Sequence, residues 1–347
     1  MVVYTCHSGC GGLGDRLSGM LSAFYVAVVT GRVFAIDHTS PSPLTTTLTS
    51  NSIDWDLTAF IHLGAKSKTI HLMDTNNPMG SFLDIMKAHL SGVQILRLQL
   101  NRYFVAMALW TPKQLLQTPS GGKNEFIGEL YEAHMRFCSS PLRTKATFHV
   151  AFHFLFNFSG AVLSRAEDMY HEIGFARVEE FIGLHARLGG EVTGESNVVP
   201  WQDPKRHAID DLPKFLSCAR SKSFGRWKAD TGEMRILIIS DSLAFKEASE
   251  GIPGTAYVKS TKLFHVDRSS SVDESVILQG SIDTYAELLL LSRAKCIVGS
   301  RSGFSGVAAA ISNTVHDEQR CFCMFDDCDN DDFDYFETSD RSQVSFA

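Results

Sequence analysis

The chain has 347 residues, a length that predicts about two domains, and 44% of its residues are hydrophobic, enough for sizeable cores. Its net charge of −7 gives no general affinity for polyanions, so nucleic acid is not an expected partner. The sequence contains no run of about 18 apolar residues, so we expect no transmembrane segment.

The first residues predict a β-strand, a helix and a second strand. Val2 to Cys6 is a short strand, and apolar residues at helical spacing predict a helix from Arg16 to Thr30. Gly31 ends this helix, and the strand from Arg32 to Ile36 follows. The order is that of a βαβ unit, which belongs to α/β proteins with parallel sheets.

Glycines between the first strand and helix suggest a dinucleotide site. Gly9, Gly11 and Gly14 match the pattern G-x-G-x-x-G, and the acidic Asp37 lies about 20 residues further on. An NAD(P)-dependent oxidoreductase is therefore one hypothesis. Against it, the last glycine is followed directly by an acidic and a basic residue, where such sites favour small apolar ones.

The start of the chain and its cysteines bear on the compartment. The strand-like run MVVYT has no signal peptide ahead of it, so we expect a cytoplasmic protein, or one of the Golgi or ER lumen if an N-terminal anchor has been removed. Eight cysteines are too sparse for a disulfide scaffold. Cys321, Cys323 and Cys328 form the only cluster, without zinc-finger spacing, and the sequence leaves their disulfide status open.

The remainder of the first half carries weaker patterns. Residues 38–56 are rich in Ser, Thr and Pro and predict a long loop. Leu57 to Leu72 and Phe82 to Leu100 each predict a helix or a strand, and Ser164 to Gly174 predicts a helix leading into the next domain. His149 and His153 are four residues apart and could ligate a metal on a helix, although core or interface histidines are the more common case.

The second half alternates strands with helices, as expected of a parallel sheet. The predicted strands are Phe181–Leu184, Arg235–Ile239, Ala256–Lys259 and Cys296–Val298, and the predicted helices are Asp211–Ser221, Asp283–Arg293 and Gly306–Ile311. In such sheets, ligands bind at the carboxyl ends of the strands. The residues that follow these strand ends are His185, Arg187, Ser240, Asp241, Ser300 and Ser305.

The turn from Gly299 to Ser305 has the features of an anion site. It joins a buried strand to a helix start, where free backbone N–H groups and the helix dipole favour negative charge. An ordinary strand-to-helix connection with Ser as N-cap explains the same pattern. Arg187 at a neighbouring strand end favours a diphosphate, because its guanidinium can bind phosphate oxygens bidentately. Glu191 and Glu195 lie on the Gly-rich loop after it, and either carboxylate could serve as a general base on a sugar hydroxyl.

Four short motifs together resemble the α1,6-fucosyltransferase superfamily, which includes the nodulation fucosyltransferases and the core α1,6-fucosyltransferases. They are GGLGDRLSGMLSAFYVAVVTGRVFAID (11–37), HARLGGEVTGE (185–195), SDS (240–242) and SRSGFS (300–305). The resemblance implies an α/β protein of the GT-B class, with two Rossmann-like domains facing a central cleft. We place an acceptor-side domain at 1–175, a nucleotide-sugar-binding domain at 176–325 and an acidic tail at 326–347.

The resemblance also implies roles for individual residues. Arg187 would hold the diphosphate of GDP-fucose and Glu195 would be the catalytic carboxylate. Glu287 falls where the family has an acidic guanine contact, with Asp283 one turn earlier as a substitute. The other implied donor-binding residues are His185, Asp241, Ser300, Ser302, Gly303, Phe304 and Ser305. The implied residues of a loop bordering the cleft are Gly11, Gly12, Gly14, Asp15 and Arg16.

We therefore expect an inverting fucosyltransferase that moves fucose from GDP-fucose to a hydroxyl of a glycan or glycoprotein, with no cofactor and no metal. Three positions depart from the family pattern. Leu188 stands where a second Arg is frequent, Gly190 where an acidic residue is expected and Glu191 where a lysine is expected. The alternatives are the oxidoreductase, a catalytically inactive glycan-binding homologue, and a metal-dependent transferase that uses the acidic run at 326–334. That run is more typical of a solvated acidic end.

Overall fold

The computed structural model describes eleven parts of the chain, and every structural statement below concerns these residues. They are residues 1–8, 10–57, 67–72, 93–100, 143–175, 180–189, 207–225, 234–260, 273–300, 302–312 and 321–325. Their contacts divide the chain into two compact units. The first takes its described residues from Met1–Pro43 and Ser50–Asn157, and the second from Leu44–Thr49 and Phe158–Phe336.

The first unit contains a four-stranded parallel sheet with the order β2-β1-β5-β4. The strands are β1 (Val2–Cys6), β2 (Phe34–His38), β4 (Ser67–Leu72) and β5 (Ile95–Leu100), and a short strand β3 (Leu48–Ser50) lies between β2 and β4 in sequence. β1 and β2 pair in register from Val2 opposite Phe34 to Cys6 opposite His38. The predicted βαβ opening is confirmed. The segments Leu57 to Leu72 and Phe82 to Leu100, each predicted as a helix or a strand, contain β4 and β5.

Helix α1 (Leu13–Val29) packs against β1 and β5 through an apolar face that includes the fully buried Leu17, Met20 and Leu21. Thr30 is its C-cap, and Gly31 follows with a φ of 63°, the left-handed conformation that glycine adopts without strain. Helix α2 (Arg143–Leu155) also belongs to this unit. Near its end, the Leu155 carbonyl accepts a hydrogen bond of 2.8 Å from the ring N–H of the buried Trp55.

The second unit contains a five-stranded parallel sheet with the order β11-β10-β7-β8-β9. Its strands are β7 (Phe181–Ala186), β8 (Arg235–Ser240), β9 (Thr255–Ala256), β10 (Cys296–Gly299) and β11 (Cys321–Met324). β6 (Phe156–Phe158) pairs with β3 in a separate two-stranded sheet. The alternating pattern of the sequence therefore predicts β7, β8 and β10. The strand predicted at Ala256–Lys259 is instead the two-residue β9, and β11 was not predicted.

Five helices accompany the second sheet among the described residues: α3 (Gly160–Glu172), α4 (Leu212–Gly225), α5 (Leu243–Ala248), α6 (Glu274–Arg293) and α7 (Gly303–Ile311). The core is formed by apolar side chains of β7, β8, β10 and α4. A Cβ on Gly183 of β7 would lie 2.5 Å from Leu291 and 3.0 Å from Ala294, so only glycine lets α6 pack this closely on the sheet. Among the described residues, no helix has the length and apolar character needed to cross a membrane.

Two disulfides lie among the described residues. Cys6 is bonded to Cys10 in the first unit, and Cys296 of β10 is bonded to Cys321 of β11 in the second. Cys296 and Cys321 are direct partners in the strand register, with a Cα–Cα distance of 4.4 Å. Cys323 is buried outside any disulfide, with its thiol donating to the Ile297 carbonyl at 3.8 Å, and Cys328 lies outside the described residues. The sequence left the disulfide status of Cys321 open, and its bond to Cys296 forms because strand pairing brings the two distant cysteines together.

Candidate functional site

Two neighbouring strands of the second sheet end beside the start of α7. The Ser300 N–H donates to the His185 carbonyl at 2.9 Å, and the Ser300 hydroxyl accepts from the Arg187 N–H at 2.8 Å. The backbone that leaves β10 is therefore bonded to the backbone that leaves β7. The two strand ends therefore lie side by side, as the sequence predicts.

The turn after β10 is tightly packed. A Cβ on Gly299 would lie 2.7 Å from the Cβ of Ser305, so this position requires glycine. Ser305 is fully buried, and its hydroxyl lies 2.6 Å from Nδ1 of His185 and 3.3 Å from the Ser300 carbonyl. These bonds fix the path of the chain from β10 into α7.

The first turn of α7 is formed by Gly303, Phe304 and Ser305. Ser302 is the N-cap, and its hydroxyl accepts from the Phe304 N–H at 3.3 Å. The helix has nine residues, and its first backbone N–H groups carry the positive end of the dipole. The Phe304 ring lies against the His185 ring with 4.9 Å between centroids. The turn is thus both an ordinary capped helix start and a place where an anion is favoured.

Arg187 is held in place by Asp241, which follows β8. Nη1 of Arg187 lies 3.0 Å from Oδ2 of Asp241. The same carboxylate accepts the backbone N–H groups of Leu188 at 2.7 Å and Gly189 at 3.2 Å. Asp241 therefore fixes the residues that follow β7. The family resemblance implied a donor-binding role for Asp241, and its observed contacts are with Arg187, Leu188 and Gly189.

His185 is a neutral imidazole at physiological pH. Burial, together with the smaller effects of the positive charges on Arg187 and Lys246, lowers its pKa from 6.5 to about 3. Because the uncharged ring can pack on Phe304 without a buried charge, it stabilises the turn as an aromatic side chain with a polar nitrogen.

Both candidate guanine contacts are engaged in ion pairs inside the second unit. Glu287 of α6 lies 2.9 Å from the ammonium group of Lys246 on α5, a side chain that is only 2% exposed. Asp283 lies 2.6 Å from Nε of Arg165 on α3 and accepts from Gln279 at 3.0 Å. The structure thus places both carboxylates on α6, each with a basic partner from another helix.

Lys246 was missed in the sequence interpretation. It lies four residues after Ser242, the N-cap of α5, and the buried Phe245 precedes it. A lysine on the buried side of a short helix needs a carboxylate partner, because an isolated buried ammonium group is strongly unfavourable. That rule marks Lys246 as notable, but the sequence does not say that Glu287, 41 residues away, is the partner.

The glycine loop of the first unit is filled by side chains of its own chain. Asp15 accepts from the Gly12 N–H at 3.0 Å, and a Cβ on Gly11, which has a φ of 78°, would lie 2.7 Å from the same carboxylate. Arg16 is 2% exposed and donates from Nε to the Gly11 carbonyl at 2.8 Å. Gly14 lies in the first turn of α1 and is buried.

These contacts argue against the dinucleotide hypothesis. A pyrophosphate would need the N–H groups at the start of α1, but the Asp15 carboxylate already accepts one of them and would repel a second anion. Asp37, the acidic residue of the pattern, is bonded to Arg97 at 3.1 Å. Gly9 lies outside the described residues.

Glu195, the acidic tail and the His149–His153 pair are the remaining predicted features. Glu195 and the acidic tail at 326–347 lie outside the described residues. The rings of His149 and His153 lie on α2 with 4.4 Å between centroids. In the described part of the chain, no group of three or more His, Cys, Asp or Glu side chains is arranged to hold a metal ion.

Comparison with known proteins gives matches among solved structures only. No protein-family model matches the chain. No curated protein sequence matches it either.

Fucosyltransferases are among the solved structures that match. A mutant of Arabidopsis thaliana FUT1 in complex with GDP superposes with a TM-score of 0.57 at 16% identity, over 93% of this chain and 69% of that chain. NodZ α-1,6-fucosyltransferase soaked with GDP-fucose gives a TM-score of 0.50 at 13% identity, over 89% and 92% of the two chains. NodZ from Bradyrhizobium gives 0.50 at 12% identity, again over 89% and 92%. The chain therefore has the fold of the fucosyltransferases, which the four sequence motifs predicted.

Proposed function

We propose that the protein is an inverting glycosyltransferase that transfers fucose from GDP-fucose to a hydroxyl of a glycan or glycoprotein. The observation that carries the proposal is the joined ends of β7 and β10, where Arg187 and the start of α7 belong to one hydrogen-bonded assembly. The fold supports it, because FUT1 was solved with GDP and NodZ was soaked with GDP-fucose. The finer architecture is part of the proposal: a GT-B arrangement in which the two units face a cleft.

In this mechanism, Arg187 and the N–H groups of the α7 start stabilise the departing diphosphate. Negative charge develops on the leaving phosphate oxygens in the transition state, and preorganised donors lower the barrier without reorganising. Asp241 contributes by holding the guanidinium in position through its 3.0 Å contact. A carboxylate close to a phosphate would itself be repulsive, so we assign Asp241 a supporting role and leave phosphate contact to Arg187.

The remaining predicted residues take part in the proposal with defined roles. Ser300, Ser302, Gly303, Phe304 and Ser305 form the turn that cradles the phosphates, and neutral His185 lies beneath it. Glu287 contacts the guanine base from α6, with Asp283 one turn earlier as its substitute. Glu195 is the catalytic carboxylate that the family resemblance implies, and no metal takes part.

The proposal is tested by the thermal stability of the purified protein with GDP, GDP-fucose, UDP and NAD, each with and without EDTA. A ligand at 100 times its Kd stabilises by about 2.7 kcal/mol, which is a readable shift of the melting temperature. We expect stabilisation by GDP and GDP-fucose that EDTA does not remove. Stabilisation by NAD alone would contradict the proposal, and stabilisation by GDP only in the absence of EDTA would contradict its metal independence.

Arg187→Ala sharpens this test. Each charge-assisted hydrogen bond to phosphate contributes about 1.5–3 kcal/mol, so GDP affinity should fall roughly 10- to 150-fold. Arg187→Lys keeps the charge but loses the planar fork, and it should restore only part of the affinity. Arg220→Ala removes the same charge from α4, where Arg220 donates to the Pro253 carbonyl, and serves as the control. Equal GDP affinity in Arg187→Ala and Arg220→Ala would refute the role of Arg187.

A further inference from the structure

Helix α6 carries two acidic residues one turn apart, and the structure gives them different surroundings. Asp283 is bonded to Arg165 of α3, and Glu287 is bonded to Lys246 of α5. All four residues belong to the second unit, as does the turn from Ser300 to Ser305. The two ion pairs differ in which of their charges faces outwards.

In the Arg165–Asp283 pair, the carboxylate is the enclosed member. The Asp283 side chain is 6% exposed, against 15% for Arg165. Oδ1 of Asp283 accepts from Nε of Arg165 at 2.6 Å and from Nε2 of Gln279 at 3.0 Å. Arg165 also donates to the Ser260 hydroxyl at 2.7 Å, beyond the end of β9. These contacts make the pair a structural bridge between α3, α6 and the residues that follow β9.

In the Lys246–Glu287 pair, the order is reversed. Nζ of Lys246 lies 2.9 Å from Oε1 of Glu287, and the lysine side chain is 2% exposed whereas the glutamate side chain is 15% exposed. The ammonium group is therefore enclosed, and the carboxylate is the charge that reaches the surface. A ligand can meet Glu287, with Lys246 behind it.

The Lys246–Glu287 pair lies beside the candidate donor turn. The charge of Lys246 is one of the causes that lower the pKa of His185, so the ammonium group is near that imidazole. His185 in turn contacts Ser305 and Phe304 in the first turn of α7, and α6 packs against α7. The pair therefore belongs to the surroundings of the turn that is proposed to bind the phosphates.

A carboxylate discriminates strongly between purine bases. The Watson–Crick edge of guanine carries two adjacent donors, N1–H and the N2 amino group, and the two oxygens of a carboxylate can accept both. Hypoxanthine, the base of inosine diphosphate (IDP), lacks the amino group and offers N1–H alone. Adenine presents a lone pair at N1, which a carboxylate repels. An ionised carboxylate should therefore prefer guanine to hypoxanthine and hypoxanthine to adenine.

We propose that Lys246 is a positioning residue for base recognition, and that its ammonium group holds the Glu287 carboxylate, ionised and oriented, for the two donors of guanine. The proposal rests on the proposed function, in which the second unit binds GDP-fucose. An enclosed ammonium group needs a carboxylate partner, so the two side chains stay together when no ligand is bound. Glu287 is thus ordered before the base arrives, and binding loses little of its rotamer freedom.

The experiment measures the dissociation constants of GDP, IDP and ADP for the purified full chain by isothermal titration calorimetry. The selectivity ratio is the constant for ADP divided by that for GDP, which cancels the ribose and diphosphate contacts that both nucleotides share. We expect a wild-type ratio of roughly 100 or more, the effect of two charge-assisted hydrogen bonds, with IDP between the two. General damage to the fold weakens both nucleotides together and leaves the ratio unchanged.

Single and double variants test whether Lys246 acts through Glu287. Glu287→Gln replaces the carboxylate with an amide, which can donate to N1 of adenine, and should lower the ratio by roughly 10-fold or more. Lys246→Met should lower it by roughly 2- to 10-fold, the effect of ordering one long side chain on binding. In the Glu287→Gln background, Lys246→Met should cause no further fall, because the carboxylate through which Lys246 acts is already gone.

The same variants guard against loss of the fold. Lys246→Met leaves a carboxylate that is partly exposed and can turn towards solvent, so the variant should fold. Glu287→Gln leaves an enclosed ammonium group without a carboxylate, which is strongly destabilising. The double variant encloses no charge and still lacks the carboxylate, so it measures the loss of selectivity even where Glu287→Gln alone does not fold.

Lys295→Met is the matched control. Nζ of Lys295 lies 3.0 Å from Oε1 of Glu180, and its side chain is 11% exposed. Lys295 directly precedes β10, so it lies at the amino edge of the second sheet, opposite to the strand ends of the candidate donor site. The variant removes the same charge from a similar pair and should leave the ratio unchanged. Arg165→Met should also leave it unchanged, because Asp283 is enclosed.

The outcomes separate this proposal from the proposed function. A ratio for Lys246→Met equal to that of Lys295→Met overturns the proposal, while GDP binding still supports the transferase. Equal weakening of GDP and ADP in Lys246→Met overturns it too, because the effect is then structural. A fall in Arg165→Met alone would make Asp283 the residue that recognises the base. A wild-type protein that does not bind GDP contradicts the proposed function, and the role of Lys246 with it.

Discussion

The two sheets of this protein each lead through a glycine-containing turn into a helix, and the side chains that contact the two turns differ. In the first unit, the Asp15 carboxylate accepts from Gly12 at the start of α1, and the buried Arg16 bonds to the carbonyl of Gly11. In the second unit, α7 is capped by the short side chain of Ser302, and Arg187 is bonded through its N–H to Ser300. A glycine motif specifies a tight turn, and the side chains around it decide whether an anion can bind there.

The largest expected effect concerns one buried histidine in each unit. The pKa of His38 in the first unit and that of His185 in the second are both lowered to about 3, mainly by burial. Both rings bind protons in the unfolded chain below pH 6.5 but not in the folded one, so stability is complete above that pH and falls on acidification. Each histidine removes up to about 1.4 kcal/mol per pH unit between pH 6.5 and 3, roughly 5 kcal/mol in all.

Urea unfolding at several pH values between 7 and 4 measures this loss. His38→Gln and His185→Gln should each flatten the dependence of unfolding free energy on pH, since glutamine does not titrate. A dependence as steep in both variants as in the wild type would show that neither histidine is the source. If the units unfold separately, each variant should affect the transition of its own unit.

The disulfides offer a second comparison between the units. Cys296 and Cys321 are 25 residues apart in sequence, and Cys6 and Cys10 are four apart. Loop-closure entropy predicts about 3.5 kcal/mol of stabilisation from the longer loop and about 2 kcal/mol from the shorter one. Replacing each pair with serine should therefore destabilise the second unit more than the first. A larger loss from the Cys6–Cys10 pair would contradict this order.

Two glycine substitutions test the two turns with the smallest expected changes. Gly299→Ala would place a methyl group 2.7 Å from Ser305, and Gly11→Ala would combine a φ of 78° with a methyl group 2.7 Å from Asp15. Each should cost about 1–3 kcal/mol of stability. Only Gly299→Ala should weaken GDP binding, because only that turn belongs to the proposed donor site.

Gly254→Ala provides the control for Gly11. Gly254 also has a φ of 78°, but a Cβ there would meet nothing within 4 Å, so the variant measures backbone strain alone. The excess loss in Gly11→Ala over Gly254→Ala is the cost of displacing Asp15. Weaker GDP binding in Gly11→Ala than in Gly299→Ala would reverse the roles assigned to the two turns.

The sequence predicts the elements that local patterns determine. Period and composition place α1 and the central strands β7, β8 and β10 to within a few residues, because apolar spacing marks all four and glycine or serine stands at the ends of α1, β8 and β10. Helix α6 begins at Glu274, nine residues before its predicted start, because Asp273 caps it and the buried Gly280 and Ser281 interrupt the apolar pattern. A prediction based on the spacing of large apolar residues does not detect small buried residues such as these.

The contacts that depend on tertiary structure could not be predicted. The motifs identified Arg187 and the 300–305 turn, but the pairing of Lys246 with Glu287 and of Arg165 with Asp283 joins helices that are far apart in sequence. The contacts of Asp37 with His7 and Arg97 are another such case, because the end of β1, the neighbouring β2 and the third strand β5 supply these residues. Parallel sheets bring such residues together without any local signal.

One short segment has a consequence for how the chain folds during synthesis. Residues Leu44–Thr49 belong to the second unit, although the residues on either side belong to the first. The Thr47 carbonyl accepts from the Ser159 N–H at 2.9 Å, and the Thr46 carbonyl accepts from the Ser159 hydroxyl at 2.8 Å, at the residue that caps α3. This segment leaves the ribosome more than 100 residues before its partner. The second unit therefore cannot complete its structure from late-synthesised residues alone, because it also needs a piece of chain that was made long before.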